Sequence, residues 1–197
     1  LPWRAPHGKP LMAALNSFGH SGTNVHIVVR EQTEHEKDAS LTDPGRPVLI
    51  PLSAKKTAQL NRYAENLSNF LKDHPDMRLP EVAHTLQTGR EPMEKRIIFT
   101  VRDISELISK LDAFVNGERN LRGFRQGEAP GNSLSEPDED LNETFRRWLS
   151  KNKLGRIAEL WSQGVSPDWE LFNENDPPRR VSLPTYPFAK DRYPANA

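Results

Sequence analysis

The residues best suited to chemistry stand near the start of this 197-residue chain, in the run Gly19-His20-Ser21-Gly22-Thr23. A serine nucleophile elbow needs G-x-S-x-G, because its strained strand-to-helix turn demands glycine on both sides. Here the closing position is Thr23 and no helical pattern follows, so the run reads as a tight turn between two strands. A stand-alone hydrolase would require Ser21 to be reactive. His7, His20 and His26 can be grouped as metal ligands, but no carboxylate or cysteine stands at ligand spacing among them. Asp138-Glu139-Asp140 suits a helix start, where the macrodipole favours negative charge, better than a cation site. There is no cysteine, which removes disulfides, thiolate zinc ligation and a thiol nucleophile from this chain. No catalytic residue, metal or cofactor is expected.

Composition narrows the field further. Lys+Arg and Asp+Glu are both 27, so the chain lacks the basic footprint of a nucleic-acid binder. No apolar run approaches the roughly 18 residues of a membrane helix, and no signal-peptide pattern opens the chain. The expectation is a soluble, cytoplasmic protein without nucleic-acid or membrane partners.

The elements that position these residues follow from periodicity. Leu11–Leu15 and Val25–Val29 are short apolar runs around the glycine-containing turn and read as strands. Glu31–Gly45 is polar and reads as a surface linker. Val48–Leu52 is a strand, with Ser53 expected to N-cap the next helix. Leu60, Tyr63, Ala64, Leu67, Phe70 and Leu71 recur at helical spacing. Leu79, Val82, Ala83 and Leu86 form a shorter helix with Pro80 near its start and Gly89 just past its end. Arg96–Val101 is β-branched and aromatic, hence a strand. Asp103 and Glu106 open a helix whose stripe of Ile104, Leu107, Ile108, Leu111, Phe114 and Val115 ends at Gly117. Gly127–Glu139 reads as a loop. Leu141, Phe145, Trp148 and Leu149, then Leu154, Ile157, Ala158 and Trp161, suggest two further helices, the second stopped by Gly164. Prolines 177, 178, 184 and 187 make the last segment extended. The fold class is α+β: a small sheet with helices packed on one face, preceded by two strands and followed by helices and a Pro-rich tail.

The run Asn16-Ser17-Phe18-Gly19-His20-Ser21-Gly22-Thr23-Asn24-Val25-His26 resembles the C-terminal motif of type I ketosynthases, and Leu1-Pro2-Trp3 fits the segment that precedes it. The resemblance makes Ser17, Phe18, Gly19, His20, Gly22, Thr23, Asn24 and His26 a structural motif, with Asn24 and His26 expected to hold the turn. His20 departs from the aromatic or aliphatic gate residue common in that family. The family's reactive cysteine and paired histidines lie upstream of the motif, so no catalytic residue carries over. Pro47–Gly123 is similar to the linker subdomain that follows a ketosynthase in modular polyketide synthases. The stretch Pro178-Arg179-Arg180-Val181-Ser182-Leu183-Pro184-Thr185-Tyr186-Pro187-Phe188 resembles the tail that returns to the ketosynthase, which implies that Arg179, Arg180, Leu183, Pro184, Tyr186 and Phe188 pack on that domain.

The organisation this implies is ketosynthase strands over 1–31, a linker over 32–46, a flanking or docking subdomain over 47–124, a loop over 125–138, a helical part over 139–172 and the returning tail over 173–197. The stretch from Arg125 to Trp148 is too short for an acyltransferase, since a domain needs about 50 residues or more. The parent therefore resembles the trans-acyltransferase class, in which this region is a non-catalytic docking subdomain. The implied partners are its own ketosynthase, a free-standing acyltransferase and a carrier protein, in a homodimeric parent. Lys56, Arg62, Lys72 and Lys110 are the candidate docking charges. The alternative is the terminal part of an active ketosynthase whose catalytic residues lie in another chain.

Overall fold

A computed structural model describes residues 9–20, 22–31, 45–130, 139–173 and 177–189. The chain divides into two compact units between residues 39 and 40. Leu1-Pro2-Trp3, His7, Ser21, Asp138, most of the 32–46 linker and the end of the tail lie outside the described residues.

The first unit is an antiparallel hairpin of β1 (Met12–Phe18) and β2 (Asn24–Arg30), in register from Met12↔Arg30 to Phe18↔Asn24. Its turn is closed by the backbone, with Gly19 N donating to Thr23 O at 2.8 Å and Gly22 N to Gly19 O at 3.1 Å. Gly22 has φ +90°, a conformation that side chains disfavour.

The second unit is built on β3 (Val48–Ala54), β4 (Lys95–Val101) and β5 (Phe124–Glu128), an antiparallel sheet in the order β3-β4-β5. Pro51 is tolerated because β3 is an edge strand, where a missing N–H need not break the ladder. Strand alternation then assigns two faces. Ile50, Leu52 and Ala54 of β3 share one with Ile97, Phe99 and Val101 of β4. That face is covered by α1 (Thr57–Asp73), α2 (Leu79–Thr88) and α3 (Ile104–Val115); of the stripes read from the sequence, Phe70, Ile104, Ile108 and Val115 are only partly buried, and α2 also buries Glu81, His84, Thr85 and Gln87. Phe99, Phe114 and Phe124 meet at its centre, with ring centroids 5.2 to 6.4 Å apart.

The helices that follow cover the opposite face. Leu49 and Ile98 pack there against Phe145 of α4 (Glu139–Ser150) and Leu154, Ile157, Ala158 and Trp161 of α5 (Leu154–Ser162). Arg96, 2% exposed, fastens α5 to β4: its Nη1 donates to Trp161 O at 2.9 Å and its guanidinium lies over the Trp161 ring.

Two expectations are corrected. Ser53 does not cap α1; it stays in β3, where its Oγ accepts from Met93 N at 3.0 Å, while the cap position falls to an extended Lys56 with no side-chain cap bond. The stretch read as a loop from 125 begins inside β5, which β4 recruits as a third strand. Gly127 is required there, because a Cβ would stand 2.1 Å from Ser162 O. Asp103, by contrast, caps α3 as expected, accepting from Glu106 N at 2.7 Å.

Candidate protein-interaction site

Among the residues singled out from sequence, the hairpin and the tail behave in opposite ways. In the hairpin, directly paired residues share a face. Ala13, Leu15, Ser17, Val25, Ile27 and Val29 make one face that is apolar but for Ser17. The other carries Met12, Phe18 and Val28 beside polar groups. Phe18 is 77% exposed, and Leu15, Ile27, Val28 and Val29 are also exposed. Apolar side chains on both faces are the pattern of a strand pair meant for the interior of a larger sheet. Asn24 and His26 were expected to hold the turn. His26 reaches across the strands, its Nδ1–H donating to Asn16 Oδ1, and backbone hydrogen bonds close the turn. His20 sits in the turn and is exposed.

The tail has no regular structure, yet its groups are engaged one after another by α2 and the strand ends of the second unit. Arg179 Nε donates to Glu81 Oε1 at 2.8 Å, and Arg78 approaches the same oxygen at 3.6 Å. Glu81 is 4% exposed, so its carboxylate needs that compensation. Arg180 Nε donates to Thr88 Oγ1 at 3.1 Å, and Val181 N to Thr85 Oγ1 at 2.9 Å. Leu183 joins the main core. Arg90 Nη2 reaches the carbonyls of Leu183 and Pro184 at 3.5 and 3.4 Å, and the Tyr186 hydroxyl accepts from Lys55 N at 3.2 Å. Three of these contacts satisfy tail backbone that belongs to no ladder: those to Val181 N and to the carbonyls of Leu183 and Pro184. Arg179, Arg180, Leu183, Pro184 and Tyr186 are thus engaged by this unit itself. Phe188 differs: it is 76% exposed and meets only the Tyr186 ring edge-on among the ring contacts.

The docking charges also separate. Lys72 Nζ lies 2.8 Å from Asp112 Oδ2; that contact and the Ser68 hydroxyl hold the Asp112 carboxyl below its usual range. Lys110 is mostly buried, bridging Glu106 at 2.7 Å and Thr100 O at 2.7 Å. Lys56 and Arg62 are exposed.

Glu81, Thr85, Thr88 and Arg90 are the functional residues that sequence reasoning missed. Their signal was present as polar groups at i, i+4 and i+7 in a helix otherwise suited to burial, followed by an arginine.

The comparisons with known proteins agree with this architecture. Residues 51–118 match the RhiE-like KS-MAT linker domain. The chain is 40% identical over 195 residues to polyketide synthase PksL of Bacillus subtilis strain 168, covering 98% of this chain and 4% of PksL. This chain belongs to the polyketide synthase family. PksN of the same strain is 38% identical over 187 residues, 92% of this chain and 3% of PksN. Among solved structures, the ketosynthase from module 6 of the bacillaene synthase of Bacillus subtilis 168 is 36% identical with a TM-score of 0.67. The match covers 98% of this chain and 33% of that ketosynthase. This polyketide synthase segment is therefore a ketosynthase edge with its linker domain, and it spans a small fraction of the synthases it matches. Among the described residues, no helix is long and apolar enough to cross a membrane.

Proposed function

We propose that this polyketide synthase segment is a non-catalytic scaffold: it completes and positions the adjoining ketosynthase and helps receive a free-standing acyltransferase. The observation that carries the reading is the route from linker to tail. Between the matched linker over 51–118 and the tail at Arg179 lie β5, α4 and α5, and all three pack on the linker's own sheet. That route supports a module of the trans-acyltransferase class. The apolar hairpin supports the positioning role, because burying its faces against a ketosynthase removes that surface from water. The parent is read as a cytoplasmic homodimer, with a carrier protein as a further partner. The lack of cysteine supports a non-catalytic role, since covalent acyl loading in this chemistry uses an activated thiol.

The test is a titration of the cognate acyltransferase against this chain, alone and fused to its ketosynthase, with acyl loading followed by mass. Micromolar binding, about −8 kcal/mol, in the fused format and no acyl adduct on this chain is the expected result. An acyl adduct on this chain overturns the non-catalytic reading. No binding in either format, with normal loading of the parent's carrier protein, reduces the segment to a spacer.

A further inference from the structure

Where α4 turns into α5, the chain carries charge that the fold does not neutralise. From residue 144 to residue 158 stand Arg146, Arg147, Lys151, Lys153 and Arg156 and no acid, in a chain whose formal net charge is zero. Asn152 makes the turn at φ +52°, a left-handed conformation that asparagine tolerates. Its N–H returns to Leu149 O at 3.0 Å and Lys153 N to Trp148 O at 2.8 Å, so a fixed turn presents two exposed lysines. Arg147 meets Glu143 at 3.2 Å, whereas Lys151, Lys153 and Arg156 make no ion pair among the described residues.

The same turn borders a hollow of about 190 Å³. Leu149 and Leu154, on either side of the turn, line it together with Leu49, Pro80 and Phe172. Leu149, Pro80 and Phe172 are only half-buried, so a further apolar group would remove more of their surface from water. Arg46, just before β3, also lines the hollow; it is exposed and makes no ion pair among the described residues. No acid lines the hollow, which disfavours a cation. Its volume is below the roughly 300 Å³ at which small-molecule sites begin, and it suits one side chain. A phosphate backbone brings charge without such a side chain.

We propose that this hollow and its basic rim dock an acidic peptide segment of a partner protein. One apolar side chain of the segment enters between Leu149, Leu154 and Phe172, and carboxylates on either side of it face Arg46, Lys151 and Lys153. The apolar anchor supplies affinity, and the charges supply register and approach. The inference does not depend on acyltransferase docking: Lys56 and Arg62 stand on α1, which covers the opposite face of the sheet.

The test is titration of the whole chain into a labelled, blocked peptide with a central leucine flanked on each side by glutamates, followed by anisotropy. Saturable binding is expected. Alanine in place of the leucine should weaken it about 10-fold or more, through the burial forgone. Arg46→Gln should weaken it about 2–5-fold, the range of one exposed ion pair, and Lys151→Gln/Lys153→Gln by more. Added salt should shrink both differences. All three positions are exposed, so the variants keep the fold, and Arg122→Gln, at an exposed cation outside the hollow, should leave binding unchanged. No saturable binding overturns the proposal, as does equal binding of the alanine peptide or of one with glutamines for glutamates. Binding indifferent to Arg46→Gln and to Lys151→Gln/Lys153→Gln also overturns it. Without peptide binding, self-association that the double variant abolishes assigns the turn to a second copy, and capture by anionic vesicles assigns it to lipid; either outcome overturns the proposal.

Discussion

The hairpin and the tail invert the usual relation between regularity and independence. The hairpin has a complete ladder from Met12↔Arg30 to Phe18↔Asn24, yet its large apolar side chains face water. The tail has no ladder, yet Arg179, Arg180, Val181, Leu183 and Tyr186 each meet a specific group of α2, β3 or the core. Backbone hydrogen bonds exchange with water at small net gain, whereas buried side chains contribute most of the stabilisation. The difference teaches that a segment belongs to a unit through its side-chain partners, not through its secondary structure.

The largest expected effect tests that statement directly. Phe99 and Leu107 are fully buried, so Phe99→Ala should destabilise by about 3–5 kcal/mol and Leu107→Ala by about 2–5 kcal/mol. Val28→Ala, in a strand of equal length, should fall within about 0.5 kcal/mol in the isolated chain. Urea unfolding read by tryptophan fluorescence measures all three. A Val28 effect as large as that of Leu107 would break the comparison.

The tail comes next in size. Arg179→Ala leaves a 4%-exposed Glu81 with the longer Arg78 approach, and should cost about 1–3 kcal/mol through incomplete compensation of a buried charge. Glu81→Gln should recover part of that loss in the double variant, because no buried charge then remains. Additive losses in this cycle would show that the pair is not coupled.

These contrasts also mark what the sequence could disclose. Leu60 to Leu71 and Leu107 to Phe114 were legible because helical spacing alone selects a buried stripe. Gly117 and Gly164 were legible as stops, and they take φ +92° and +113°. β5 was not: Arg125-Gln126-Gly127-Glu128 has weak strand propensity, and its pairing with β4 is set by tertiary contact. Ser53 misled because a hydroxyl before a helix suits a cap as well as it suits a strand end. The tail's residues were visible, but their partners were not. Arg179 and Glu81 are 98 positions apart, and no local pattern reports such a pair.

A smaller effect sharpens the tail side through pH. Burial, and secondarily Arg180, hold the His84 imidazole below its ordinary 6.5, with Glu170 opposing. In that window the unfolded chain binds more protons than the native one. Stability is therefore complete above about pH 6.5 and falls as pH drops toward the native value, where the loss levels off. Asp112 and Glu106, also held low, add their losses only below the ordinary carboxylate values of 3.8 and 4.5. Unfolding free energy measured between about pH 5 and 7 should slope downward with acid. His84→Gln should flatten that slope and Arg180→Gln should reduce it. A slope unchanged in His84→Gln would remove His84 as its source.

The smallest expected effect concerns the partner surface, where exposure again decides. Lys56 and Arg62 are exposed at the start of α1, whereas Lys72 and Lys110 hold Asp112 and Glu106. A rim charge acts mainly on the association rate, because it attracts at a distance without being desolvated on binding. Reversing Lys56 or Arg62 to Glu should therefore slow association with the acyltransferase about 2–5-fold, and added salt should erase the difference as the screening length falls from about 10 Å at 0.1 M toward 3 Å at 1 M. Lys72→Met and Lys110→Met should lower stability and leave the rate unchanged, since their charges are occupied within the fold. Stopped-flow association at two ionic strengths, paired with urea unfolding of each variant, separates the two classes. A rate loss confined to Lys72 and Lys110 would move the docking surface from the start of α1 to the α1–α3 seam.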